Sequence, residues 1–237
     1  MATKTAIVSG ASSGIGEAIC QRLLDDNYTV TGLARDFSRC SIKHPRFNSL
    51  SIDFSELDTL AEKLDETRRQ FSSVDALVCC AGQGNFGSLE EFSYQQIRHL
   101  MDLNFTSQAF LTRSLLPLIK KQKSGDVIFI GSESALTGGR KGAVYSASKF
   151  ALRGLAQALR EECAKTGVRI SIVNPGMVKT GFFDDLAFEP GDLPENYILP
   201  EDIADSIAMI LATRQGTVFD EINLSPQKKV IQFKKQE

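Results

Sequence analysis

Eight residues near the N-terminus, Ser9-Gly10-Ala11-Ser12-Ser13-Gly14-Ile15-Gly16, stand directly behind the apolar, β-branched run Thr5-Ala6-Ile7-Val8. That run reads as a buried strand. After the glycines, Ala18-Ile19 and Leu23-Leu24 recur at helical spacing. A strand, a glycine turn and a helix N-terminus make a phosphate site, because the backbone N–H groups point outward there and the helix dipole favours negative charge. Glycine is needed where a Cβ would block close approach of a pyrophosphate. The spacing Gly10-x-x-x-Gly14-x-Gly16 differs from the commoner G-x-G-x-x-G. A tight turn before a helix, with no ligand, is the competing reading.

Strands and helices alternate beyond this unit. Residues 28–33, 49–52 and 76–78 read as the second to fourth strands, with an amphipathic helix over 57–71. A long helix is expected over 94–121, with Pro117 as a kink or late break. Val127-Ile128-Phe129-Ile130 makes a fifth strand that ends at Gly131-Ser132, and 145–159 is Ala- and Leu-rich and helical. Residues 168–173 are a sixth strand, 203–211 a helix opened by Pro200-Glu201-Asp202, and 218–224 a seventh strand. The alternation predicts an α/β fold: one doubly wound, Rossmann-type parallel sheet of about seven strands with helices on both faces. No linker, composition break or repeat divides residues 1–237, so one domain is expected.

Composition narrows the partners. A net charge of −2 argues against a broad nucleic-acid footprint, and a basic tail with Lys228, Lys229, Lys234 and Lys235 reads as solvated. No apolar run approaches the ~20 residues that span a membrane, and the first strand starts too early to leave room for a signal peptide. Five cysteines without C-x-x-C spacing fit reduced thiols and a cytoplasmic protein. Two histidines, His44 and His99, make a histidine-rich metal site unexpected.

Tyr145-Ser146-Ala147-Ser148-Lys149 places a phenol and an amine four residues apart on the 145–159 helix, hence on one face. A cation near a phenol favours the phenolate and is expected to lower a pKa that is ordinarily about 10, toward the range useful for proton transfer. Ser132 lies thirteen residues upstream at a strand's C-terminal end, where open α/β sheets bind ligands.

With these motifs in this order, the chain resembles the short-chain dehydrogenase/reductase family in its "classical" branch, from the glycine turn to about Thr180. The resemblance implies a strand order of 3-2-1-4-5-6-7. It implies that Ser132 orients a substrate carbonyl and that Tyr145 is the acid/base. Lys149 would tune Tyr145 and bind the nicotinamide ribose, and Asn104 would hold a water in the proton relay. Ala81 and Gly82 match small residues beside the cofactor, and Asp53 matches a residue beside the adenine N6 group, while Ser55 reads as the cap of the helix that follows. Pro175, Gly176, Val178 and Thr180 belong to the segment at the nicotinamide, with Thr180 at its carboxamide. Cys79-Cys80 departs from the family's Asn-Ala-Gly pattern and puts one strand-tying hydrogen bond in doubt. Residues 181–199 match a substrate lid, followed later by a short C-terminal tail over 225–237. Relatives form dimers or tetramers through the helices carrying Asn104 and Tyr145, so a homodimer or homotetramer is expected.

The end of the second strand, Leu33-Ala34-Arg35-Asp36, bears on cofactor choice. Ala34 offers no acceptor for a ribose hydroxyl, and Arg35 suits a 2′-phosphate, with Arg39 and Ser12 near in sequence. NADP(H) is therefore expected over NAD(H), with Asp36 as a complication if it pairs with Arg35. Arg140 and Lys141 read as solvent-facing turn residues, although either could meet a small carboxylate. Together these features imply an NADP(H)-dependent oxidoreductase that interconverts a carbonyl and a secondary alcohol, its substrate an aldehyde, a ketone or a 3-hydroxy acid. A 3-oxoacyl-carrier-protein reductase and a catalytically silent NADP-binding sensor are the alternatives.

Overall fold

The computed structural model describes residues 3–234. Seven parallel strands form the central sheet in the order β3-β2-β1-β4-β5-β6-β8. They are β1 (Thr5–Ser9), β2 (Thr29–Ala34), β3 (Phe47–Ser51), β4 (Ala76–Cys79), β5 (Gly125–Ile130), β6 (Val168–Pro175) and β8 (Glu221–Leu224). This is the doubly wound arrangement expected from the alternation. The chain's β-branched and apolar runs are the central strands because both of their faces must be dry. Along β1 the faces alternate: Ile7 joins Leu77, Phe129 and Ile172 in one core, while Ala6 and Val8 join Val78 and Ile128 in the other.

The first core is covered by α2 (Leu57–Arg68), α4 (Ser107–Gln122) and α5 (Ala143–Cys163). The second is covered by α1 (Gly14–Asp25) and α6 (Pro200–Ala212), which pack on each other. Among the described residues, no helix is long and apolar enough to cross a membrane.

Three local expectations are corrected. The long helix expected over 94–121 is divided, although not at Pro117, which lies inside α4. The irregularity is a π turn, Asp102–Thr106, between α3 (Tyr94–Met101) and α4, and it carries Asn104. Hydroxyls cushion the wider turn: Ser107 donates to the Leu103 carbonyl at 2.7 Å. Such single π turns are concentrated at functional sites. Second, Ser55 does not cap α2. The Asp53 carboxylate accepts from the Ser55 N–H at 2.9 Å and from its hydroxyl at 2.7 Å, closing a turn one residue before the helix.

Third, the C-terminal segment does not run free in solvent. β9 (Ile231–Phe233) pairs antiparallel with β7 (Phe188–Pro190), inside the stretch matched to a lid. Lys228 binds the Glu195 carboxylate at 3.1 Å, Lys229 binds Glu133 at 2.8 Å, and Lys234 donates to the carbonyls of Phe183 and Asp184. Lys235 lies outside the described residues. A strand ladder and three of these side-chain contacts thus strap the tail over the 181–199 segment.

The opposite end of the sheet is fastened by a buried ion pair. Asp126 on β5 and Arg169 on β6 are register partners, joined by two bonds of 2.7 and 2.9 Å. Arg169 also donates to the Thr213 carbonyl at the end of α6. Burial pushes the Asp126 carboxyl above its ordinary range, and the guanidinium works against that shift. Removing one member of such a pair strands a buried charge. Arg169→Met is expected to lower stability by about 3–5 kcal/mol, read as a fall in the denaturation midpoint; an unchanged midpoint would show that the pair does not hold the sheet.

Candidate active site

A cleft of about 820 Å³ opens at the C-terminal ends of the parallel strands, where the sheet order reverses on either side of β1. Its size falls within the ~300–1,000 Å³ of ligand clefts. Gly10, Ser12, Ser13, Gly14, Ile15 and Gly16 line one wall. Gly10 and Gly14 hold φ values of +68° and +53°, which side chains rarely adopt. A Cβ on Gly16 would sit 2.0 Å from the Gly10 carbonyl oxygen, and one on Gly10 would sit 2.9 Å from Cα of Ala81. Backbone therefore meets backbone at the start of α1, leaving a concave run of N–H groups that fits a pyrophosphate.

Arg35 and Asp53 line the cleft at the ends of β2 and β3. Asp36 does not pair with Arg35: its carboxylate accepts from the Ser38 N–H at 2.9 Å and hydroxyl at 2.6 Å, and these bonds hold it below the usual carboxylate range. Arg35 has no ion-pair partner among the described residues and faces solvent at the cleft rim. Ala81 and Gly82 lie at the end of β4. Opposite them run Pro175, Gly176, Val178 and Thr180, the last accepting from the Phe182 N–H at 3.2 Å.

Ser132, Tyr145 and Lys149 converge where these walls meet. Ser132 Oγ accepts from the Ser134 N–H at 3.1 Å, which leaves the hydroxyl proton free to be given away. Burial pushes the Tyr145 phenol up to about 12, with hydrogen bonding to Ser132 pulling the other way and Glu133 adding to the rise. The lowering expected from the i, i+4 spacing is thus overturned. The Lys149 ammonium lies 5.9 Å from the centre of the phenol ring and donates to the Ile130 carbonyl at 3.1 Å. Burial brings Lys149 down to about 8.

Asn104 alone among the expected site residues does not line the cleft. It is fully buried behind Gly82. Its Oδ1 accepts from the Gln83 N–H at 2.9 Å, and its Nδ2 donates to the Gln83 carbonyl and to Ser148 Oγ, both at 3.0 Å. Ser148 in turn donates to the Tyr145 carbonyl at 2.7 Å. Asn104 therefore ties the loop after β4 to the turn of α5 that carries Tyr145. Ser148 and Gln83 were not singled out from the sequence, although Ser148 lies inside the quoted motif.

The departure at Cys80 is compensated. Ser9 Oγ accepts from the Cys80 and Ala81 N–H groups at 2.9 and 3.1 Å and donates to Gln108 at 2.9 Å. A hydroxyl on β1 thus ties the strands. The Cys80 thiol itself is pushed up to about 12 by burial.

Over Tyr145 the aromatic rings close a cycle. Its ring centre is 5.0 Å from Phe86 and 6.1 Å from Phe182. Phe182 meets Phe183 at 5.1 Å, Phe183 meets Phe188 at 5.9 Å, and Phe188 meets Phe86 at 5.1 Å. Arg140 and Lys141 are exposed and lie outside the cleft, Lys141 in a turn with φ 59°.

Known proteins resemble this chain over nearly its whole length. An uncharacterized oxidoreductase of Staphylococcus saprophyticus is 29% identical over 231 residues, covering 94% of this chain and 97% of that protein. A sepiapterin reductase of Chlorobaculum tepidum is 29% identical over 240 residues, covering 95% and 97%. The X-ray structure of an alcohol dehydrogenase from the archaeon Thermococcus sibiricus, complexed with 5-hydroxy-NADP, superimposes with a TM-score of 0.85 at 26% identity, covering 96% of this chain and 98% of that one. Residues 4–189 match the short chain dehydrogenase family, and they hold the glycine turn, Ser132, Tyr145 and Lys149. The chain belongs to the short-chain dehydrogenase/reductase family of oxidoreductases.

Proposed function

We propose that this protein is an NADP(H)-dependent oxidoreductase that interconverts a carbonyl and a secondary alcohol, with Tyr145 as the acid/base. The observation that carries this reading is the meeting of Ser132, Tyr145 and Lys149 at the inner end of the cleft that begins in the glycine cradle. The cradle of Gly10, Gly14 and Gly16 fits a pyrophosphate, and Ala34 followed by an unpaired Arg35 fits a ribose 2′-phosphate. When bound, a reduced nicotinamide supplies the hydride to the carbonyl carbon.

The chain's own residues do the rest. Ser132, with its acceptor side occupied by Ser134, donates to the carbonyl oxygen and polarises it. Tyr145, held near 12, carries its proton at neutral pH and delivers it to that oxygen. Lys149 places a positive charge by the phenolate that remains. Asn104 acts through Ser148 to fix the turn of α5 from which Tyr145 projects. The named activities of the sepiapterin reductase and the alcohol dehydrogenase support the same chemistry. A silent sensor would have no use for Ser132, Tyr145 and Lys149 assembled at one point.

Three outcomes are expected. Tyr145→Phe should keep NADPH affinity, measured by nucleotide fluorescence, while turnover falls on the order of 10²–10⁴-fold; normal turnover would sink the assignment. Arg35→Ala should weaken NADPH about tenfold or more and leave NADH nearly unchanged, and an equal loss for both would remove Arg35 as the phosphate reader. Lys149→Met tests the buried ammonium through stability. Below pH 8 the lysine is charged in both folded and unfolded chains, so its burial destabilises the fold in full. Between about 8 and 10.5 the folded chain sheds the proton first, and the penalty fades. The variant should therefore be more stable than the parent by up to about 3 kcal/mol at pH 7, with the gap shrinking from about pH 8 and closing above about 10.5. A gap that does not change with pH would mean that Lys149 is not desolvated.

A further inference from the structure

We infer that the substrate is an uncharged carbonyl compound carrying a flat aryl group. This rests on the oxidoreductase reading above and deepens it.

Two features of the cleft above Tyr145 carry the inference. The first is the closed cycle of five rings. Phe86 and Phe182 touch the phenol, and Phe183 and Phe188 close the cycle behind them, so a group attached to a carbonyl at Tyr145 lies against ring faces and edges. Phe182 is the exposed member. It is 36% exposed, whereas Phe183 behind it is buried at 8%. Its ring tip rests on Gly84, where a Cβ would come within 2.3 Å. A ring swinging off Gly84 leaves a slot over that glycine, walled by the Tyr145 ring, the Phe183 ring and an edge of Phe86. A planar aryl group fills that slot and regains the offset and edge-to-face contacts that Phe182 gives up. A saturated ring of the same size is thicker and regains only apolar burial.

The second feature is charge. At the lid end of the cleft the anionic side chains are Asp184 and Asp185. The basic residues near by are spent elsewhere. Lys234 donates to two carbonyls, Lys229 is paired with Glu133, and Arg140 and Lys141 lie outside. Arg35 and Arg39 sit at the far end of the cleft, beyond β2. Lys149 is held at the catalytic position by Ile130, and His99 is the one other basic group on the lining. A carboxylate on the substrate would face two carboxylates without a guanidinium to receive it, which favours neutral substrates over hydroxy acids.

The test compares three methyl ketones whose carbonyls are electronically alike: 4-phenylbutan-2-one, its cyclohexyl counterpart, and its para-carboxylated derivative. Each is reduced by the full chain with NADPH. The phenyl ketone is expected to exceed the cyclohexyl ketone in kcat/KM by about tenfold. The carboxylated ketone should fall at least tenfold below the phenyl ketone. Phe183→Leu, which removes one ring of the slot's wall, should lower the phenyl-to-cyclohexyl ratio toward one. Equal reduction of all three, or preference for the carboxylate, overturns the inference and leaves the carbonyl-reductase reading standing. No reduction of any of them, with NADPH bound, overturns both.

Discussion

The structure depends on a crossing of backbone at the end of β1. Gly16 lies so close under Gly10 that a single added carbon would overlap the Gly10 carbonyl oxygen, and one on Gly10 would press on the backbone of Ala81. Ser9, the residue before the crossing, accepts two N–H groups from the end of β4 and donates to Gln108 on α4. The Gly10 N–H binds the Leu33 carbonyl on β2 at 2.8 Å. Three strands and two helices are therefore located by about eight residues. The cradle, the floor of the cleft and the start of α1 are one rigid object, and site groups placed on rigid elements keep their geometry best.

Opposite this fixed wall stands one assembled largely from chain that is distant in sequence. Phe86 follows β4, Phe182, Phe183 and Phe188 come from the segment before α6, and that segment is held down by β9 and two lysines, Lys228 and Lys234, from the far end of the chain. The contacts holding it are a three-residue ladder, exposed ion pairs and aromatic edges, each of modest strength. Fixed cradle and lightly held cover suit a site that must bind a large ligand firmly and exchange a smaller one.

Much of this was legible in the residues. The alternation of buried runs with helical periodicity yields the sheet, and Gly10, Gly14, Gly16, Ser132, Tyr145 and Lys149 stand at spacings whose chemistry can be argued before any coordinates. What escaped has physical causes. The spacing of Tyr145 and Lys149 says that they share a face; it cannot say that both are dehydrated, and dehydration sets the direction of the phenol's shift. Pro117 marks a local cost in a helix, whereas the π turn at Asn104 answers to the buried amide's need for Gln83 and Ser148, which are neighbours in space alone. The ring cycle closes between Phe86 and Phe188, 102 residues apart, and the tail pairs with β7 across 41–45 residues, and no periodicity records such pairings.

The crossing at Gly10 also orders events in time. Ser9 and Cys80 are 71 residues apart, and β1 must find β4 after α1, β2, β3 and α2 have intervened. Closing a loop of that length costs entropy before any contact repays it, and pairings of this kind slow folding. A half-assembled chain would hold the glycine turn with nothing beneath it. Competence to hold a nucleotide would thus emerge late along the folding route, and a nucleotide present in the cell would act as a ratchet, drawing nearly complete chains over the last step by binding only those that have made it.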